Sequence, residues 1–95
     1  EPFLNTQVCN RICHRVREEF GHDKNIWSWT GYKWDELMKE SDDKKELLSL
    51  IDILIDGRFL QAKMDLTLQF RGSSNQRIIN VPESLKSGQV VVWRA

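Results

Sequence analysis

The sequence predicts an α/β fold, with a mostly parallel sheet and flanking helices. Two observations carry this. Ile51-Asp52-Ile53-Leu54-Ile55 is a short β-branched run closed by Asp56-Gly57, the pattern of a strand buried on both faces. Such strands belong to parallel sheets covered by helices. Upstream of it, helical and strand patterns alternate, as they do in βα units. Ligands of such sheets gather at the carboxyl ends of the strands, so a site is expected around Asp56, Gly57 and Arg58.

Each element has a local reason. Asn5 or Thr6 can cap a first helix. Along it Val8, Ile12, Val16 and Phe20 recur at intervals of four with Cys9 and Cys13 beside them, while Arg11, Arg15, Arg17, Glu18 and Glu19 lie opposite. That spacing predicts one buried stripe, and Gly21 ends the helix. Lys24 to Thr30 is rich in aromatic and β-branched residues and reads as a strand stopped by Gly31. Trp34, Leu37 and Met38 make a short helical stripe. Ser41 or Asp42 can cap a further helix from Lys44 to about Leu50, which leads into the Ile51–Ile55 strand.

Beyond Gly57 the periodicity weakens. Arg58 to Leu68 reads as partly helical, then irregular after Asp65. Arg71 to Arg77 is a polar loop, and Ile78 to Val81 a brief strand. Pro82 suits the first position of a short helix over Glu83–Lys86, closed by Gly88. Val90 to Trp93 is a last strand.

Composition excludes several classes of function. Lys plus Arg number 14 and Asp plus Glu 14, without the basic excess of a nucleic-acid binder. No apolar run approaches the ~20 residues that span a bilayer. Two cysteines make no disulfide framework, so a reducing cytoplasm is expected. The opening Glu1-Pro2-Phe3-Leu4 has no initiator Met, and the chain is read as part of something longer.

Residue chemistry alone names no reaction. Cys9 and Cys13 fall on one helix face, but no further ligand is spaced to join them, and they read as packing residues. His14 and His22 have no carboxylate or nucleophile at a catalytic spacing. Trp27 and Trp29 are expected on opposite sides of their strand, packing rather than stacking a ligand. The donors of Arg71-Gly72-Ser73-Ser74-Asn75-Gln76-Arg77 suit a carboxylate or phosphate, and equally an ordinary solvated loop.

Three segments in order narrow the field: Ile26-Trp27-Ser28-Trp29-Thr30-Gly31-Tyr32, Leu50 to Phe59 with its Asp56-Gly57-Arg58-Phe59, and Arg71 to Arg77. Together they resemble the activating proteins of anaerobic ribonucleoside-triphosphate reductases, which are radical S-adenosylmethionine (SAM) enzymes. The resemblance covers essentially residues 1–95, but only the carboxyl-terminal part of the family's length. It implies a fragment of a partial (βα) barrel. In the intact protein it implies a 4Fe–4S cluster held by Cys-x-x-x-Cys-x-x-Cys, and SAM bound at the open iron. Reductive cleavage there gives a 5′-deoxyadenosyl radical, which leaves a glycyl radical on the reductase, the implied partner.

Carried over by position, Glu1 resembles the end of the Gly-Gly-Glu-Pro segment whose backbone holds the SAM amino group. Thr30 matches a threonine lining the SAM site, Asp56 an aspartate at the next strand end, and Arg58 a lysine near the SAM carboxylate. No catalytic or metal-ligating residue is implied within the chain. Lacking the cluster motif, the chain by itself is expected to be inactive, to hold no stoichiometric cofactor, and to self-associate, through the edge of the Ile26–Thr30 strand or by exchange of its first helix. The competing expectation is a non-catalytic α/β module that binds a partner or a nucleotide.

Overall fold

Ile53–Asp56 (β2) runs through the centre of a three-stranded sheet, and all four of its residues are buried. The computed structural model describes residues 2–21, 23, 25–68 and 70–93, so Glu1, His22 and Lys24 lie outside the described residues. Trp27–Trp29 (β1) pairs in parallel with β2, Trp27 opposite Ile53 and Trp29 opposite Ile55. Parallel neighbours need a long crossover. Here it contains Trp34–Leu37 (α2) and Asp42–Leu50 (α3), which follow the long first helix Thr6–Phe20 (α1).

The α/β class holds, but the sheet is mixed rather than mostly parallel. Arg77–Asn80 (β3) pairs antiparallel with β2, Asp56 opposite Arg77 and Leu54 opposite Ile79. The link from β2 to β3 explains this. Among the described residues it contains no crossover helix, only one 3-10 turn at Gln61–Lys63 and a short excursion pinned by the Met64–Ser73 bridge. The chain therefore stays at the carboxyl end of β2 and re-enters the sheet from there, running back.

The strand also ends earlier than its apolar pattern suggests. Asn80 Oδ1 accepts from the Glu83 N–H at 3.2 Å and caps Val81–Ser87 (α4), which puts Pro82 second in that helix rather than first. Val90 to Trp93 is not a full strand. It contributes one antiparallel bridge, Val92 to Ile79, with hydrogen bonds from Trp93 N–H to the Ile78 carbonyl and from Asn80 N–H to the Val91 carbonyl, both at 2.8 Å.

The helices share one face of the sheet. Leu54 and Ile79 sit in a core with Phe3, Trp34, Leu37, Leu47, Leu48, Ile51 and Val81. Burying each of these large side chains contributes roughly 1.5–3 kcal/mol. The opposite face carries the Trp29–Ile55–Ile78 row beneath an aromatic cluster. Trp27 lies 5.0 Å from Phe70 and 5.2 Å from Trp93, ring centre to ring centre. Trp29 belongs to the same side, 6.4 Å from Trp27, and its Nε1–H donates to the Phe70 carbonyl at 2.7 Å. The expectation that the two tryptophans face apart is corrected by the strand's period of two, which puts residues i and i+2 on one face.

The buried stripe of α1 is also not the one its apolar spacing suggests. Val8, Ile12 and Phe20 remain exposed, whereas Thr6, Asn10 and Cys13 are buried. Polar ties turn the helix this way. Thr6 Oγ1 donates to the Asp43 carboxylate, and Asn10 Nδ2 to the Asp43 carbonyl at 3.2 Å. Arg17 Nη2 reaches the Asp52 carboxylate at 2.7 Å and the Leu50 carbonyl at 2.9 Å. Asp52 in turn accepts from the Ile26 N–H at 2.8 Å, so a single ion pair joins α1, the end of α3 and the entry of β1. No helix among the described residues is long and apolar enough to cross a membrane.

Candidate functional site

The carboxyl ends of β1 and β2 lie side by side. Thr30 follows Trp29, and its N–H donates to the Ile55 carbonyl at 3.0 Å, which continues the parallel ladder. Asp56 is the next residue on β2, so Thr30 and Asp56 end neighbouring strands on the same rim. Both are almost wholly buried, Thr30 at 4% exposure and Asp56 at 1%. The Thr30 hydroxyl accepts from the Tyr32 N–H at 3.2 Å and closes the turn after β1.

The Asp56 carboxylate is fully engaged within the protein. Oδ1 accepts from Arg77 Nε at 3.1 Å, and Oδ2 from Arg77 Nη2 at 2.6 Å. Oδ2 also accepts from the Trp34 N–H at 2.9 Å. This bidentate pairing holds the Arg77 guanidinium more firmly protonated than usual. The geometry makes Asp56 a tie between β2, β3 and the start of α2.

Gly57 turns the chain out of the sheet with φ +89°, a conformation a side chain rarely adopts. Its N–H donates to the Tyr32 carbonyl at 2.8 Å. The turn delivers Arg58 to an open cleft of about 240 Å³, which it lines with Leu4, Gly31, Tyr32 and Glu36. A guanidinium and a carboxylate on one small cleft can receive a ligand carrying an acid and an amine. Of the residues singled out from the sequence, Thr30, Asp56 and Arg58 are thus brought to one rim, whereas Glu1 lies outside the described residues.

Sequence reasoning left the Arg71–Arg77 loop undecided, and its donors turn inward. Arg71 Nη1 donates to the Gln76 carbonyl at 2.6 Å. Asn75 Nδ2 donates to the Arg58 carbonyl at 2.8 Å, and Gln76 Nε2 to the Gly57 carbonyl at 3.0 Å. Gly72 packs so closely on Phe59 that a Cβ there would come within 2.9 Å of its ring. The loop clasps the strand-end turn. Tyr32 and Glu36 also went unmarked, because only the fold brings them to Arg58.

The cysteines sit elsewhere, on the core side of α1. Cys13 is buried, and burial, with Cys9 nearby, pushes its thiol above the usual range. Iron–sulfur clusters are held by sets of thiolates. Among the described residues no three His, Cys, Asp or Glu side chains come together as a metal site. These two cysteines do not fit a 4Fe–4S cluster.

Comparison with known proteins supplies the family. A profile described as a 4Fe-4S single cluster domain matches residues 1–79. The anaerobic ribonucleoside-triphosphate reductase-activating protein of Haemophilus influenzae is 47% identical over 75 residues, covering 79% of this chain and 46% of that protein. The protein of the same name from Pasteurella multocida is 50% identical over 74 residues, 78% of this chain and 46% of its own length. The Escherichia coli K12 protein of that name is 44% identical over 66 residues, 70% of this chain and 40% of its own length. The chain spans about half the length of the curated relatives it matches. No solved structure matches it. The chain belongs to the 4Fe-4S single cluster domain family, and its relatives include the activating proteins of anaerobic ribonucleoside-triphosphate reductases.

Proposed function

We propose that residues 1–95 are the carboxyl-terminal part of a radical SAM enzyme that activates an anaerobic ribonucleoside-triphosphate reductase. On this reading the rim at the ends of β1 and β2 forms one wall of the SAM site, and the sheet is part of a partial (βα) barrel. The observation that carries the reading is the convergence of Thr30, Asp56 and Arg58 on one rim, with Arg58 lining a cleft. Names of the relatives support the reductase as partner.

Each residue of the rim then has a task. Arg58 offers a fork of donors to the SAM carboxylate. Glu36, across the cleft, offers an acceptor to its amino group. Thr30 shapes the turn that exposes Gly31 and Tyr32, and Asp56 fixes the strand end from which Arg58 projects. In the intact protein, SAM with a cluster supplies one-electron cleavage chemistry that ends in hydrogen abstraction from a glycine of the reductase. With two cysteines that do not fit a cluster, the chain by itself is inactive on this reading.

The competing module, which binds a nucleotide or partner through the Arg71–Arg77 loop, has less support, because the loop's donors serve its own backbone, the Gly57 carbonyl and Asp56. The test is SAM binding to the intact activating protein that contains this chain. Arg58→Ala is expected to raise the SAM dissociation constant about tenfold, the scale of one charge-assisted hydrogen bond. Unchanged affinity would overturn the reading. A gene in which Cys-x-x-x-Cys-x-x-Cys precedes Glu1 is also expected.

A further inference from the structure

Gln76 is 7% exposed, and both ends of its amide are in use. Oε1 accepts from the N–H groups of Gly72 at 2.9 Å and Ser73 at 3.2 Å, while Nε2 donates to the Gly57 carbonyl at 3.0 Å. Those three bonds also fix the amide's orientation, since the N–H groups can only donate and the carbonyl can only accept. The neighbouring Asn75 donates to the Arg58 carbonyl at 2.8 Å. From the other side, the Gly57 N–H is held by the Tyr32 carbonyl.

These bonds meet at one point. The peptide before Gly57 is tied to the β1 side of the rim, the peptide after it to Gln76, and the peptide after Arg58 to Asn75. Gly57 is the residue with the greatest backbone freedom in that stretch. Left untied, its turn would sample many directions, and Arg58 would sample them with it. A glutamate at position 76 would keep the acceptor but set a carboxylate oxygen against the Gly57 carbonyl, which opposes the contact rather than making it.

We propose that Gln76, assisted by Asn75, is a positioning residue for the strand-end site: it sets the Gly57 turn that presents Arg58 to the cleft of Gly31, Tyr32 and Glu36. The proposal rests on the reading of that cleft as the SAM site, and it assigns the Arg71–Arg77 loop a role in ligand affinity without ligand contact. Preorganisation of this kind improves affinity by removing the ordering cost from the binding step. A residue that acts only through Arg58 has no effect once Arg58 is gone. A residue that merely stabilises the fold weakens binding whether or not Arg58 is present.

The experiment is a double-mutant cycle on the intact activating protein, with SAM as the titrant and the SAM-cleavage rate measured alongside. Gln76→Glu is expected to weaken SAM binding about tenfold and raise KM accordingly, with kcat at saturating SAM within about twofold. In the Arg58→Ala background the same substitution is expected to add less than about twofold. Independent, multiplying effects would overturn the proposal, as would Gln76→Glu with unchanged affinity. Arg58→Ala without effect would instead sink the site reading on which the proposal rests, so the two failures are distinguishable. Should Gln76→Glu unfold the protein, Asn75→Ala removes the tie to Arg58 alone. It is expected to weaken SAM about threefold, again only when Arg58 is present, and an unchanged affinity there overturns the proposal.

Discussion

Asp56 and Arg77 stand opposite each other across the antiparallel β2–β3 pair, and their side chains close a two-point ion pair at 2.6 and 3.1 Å. The carboxylate is buried at 1% exposure while the guanidinium remains partly open to solvent. The pair is therefore asymmetric: losing the arginine strands a buried charge, whereas Arg77 itself can rehydrate.

Arg77→Ala is expected to destabilise the fold by about 3 kcal/mol, the scale for breaking a buried ion pair from one side. Asp56→Asn introduced with it should recover part of that loss, because it removes the stranded charge. Urea unfolding of both variants checks this. An additive double variant would show that the pair is not coupled.

Arg17 is expected to tolerate no conservative replacement. Its guanidinium contacts Asp52, the Leu50 carbonyl and the Gly21 carbonyl, and a single ammonium cannot reproduce that fork. Arg17→Lys should cost about 1–2 kcal/mol by the scale of charged hydrogen bonds. Amide exchange at Ile26 should quicken most, since its N–H rests on the same Asp52 carboxylate.

Asp43 links acid stability to the α1–α3 contact. Hydrogen bonds from Ser41 and Thr6 hold its carboxyl below the usual 3.8. A carboxyl lowered in the folded state contributes stability that is present above its unfolded pKa and lost as pH falls through the folded value. Melting temperature should therefore drop as the medium is acidified from about pH 4 downward. In Asp43→Asn the same stretch of the profile should be flatter.

The two thiols should react unequally. Cys13 is buried with a raised pKa, whereas Cys9 is half-buried, and the thiolate is the reactive form. Iodoacetamide under native conditions should label Cys9 first, as read by mass spectrometry. Incubating the chain with iron and sulfide should give no stoichiometric 4Fe–4S absorption. A stable cluster would overturn the assignment of both cysteines to packing.

How far the sequence carried depends on how local the deciding interaction is. The Ile53–Asp56 strand, the start of a helix just after Ser41 and the strand end at Asp56–Gly57 were legible because apolar runs and turn pairs lie within a few residues of one another. The direction of β3 was missed because nothing in Arg77–Asn80 encodes it; the link before it, without a crossover helix among its described residues, does. The face of α1 was missed because polar ties to Asp43 and Asp52, more than 30 residues away, outweigh its apolar spacing. The task of the Arg71–Arg77 loop was hidden for the same reason, as its partners on the strand-end turn lie 17 to 21 positions upstream.

That separation has a consequence for the order in which the protein is made. Chains emerge amino end first and begin to fold as they do so. Helices α1 to α3 and the parallel β1–β2 pair lie within the residues up to Asp56, and α4 with Ile79, Val81 and Val90 joins their core later. The Gly57 turn thus leaves the ribosome 19 residues before the glutamine that holds it. For that interval a nascent chain can have acquired much of its architecture while its rim still lacks a fixed shape. On the proposed reading of the rim, competence to bind then arrives as a separate and later event, set by the moment β3 joins the sheet.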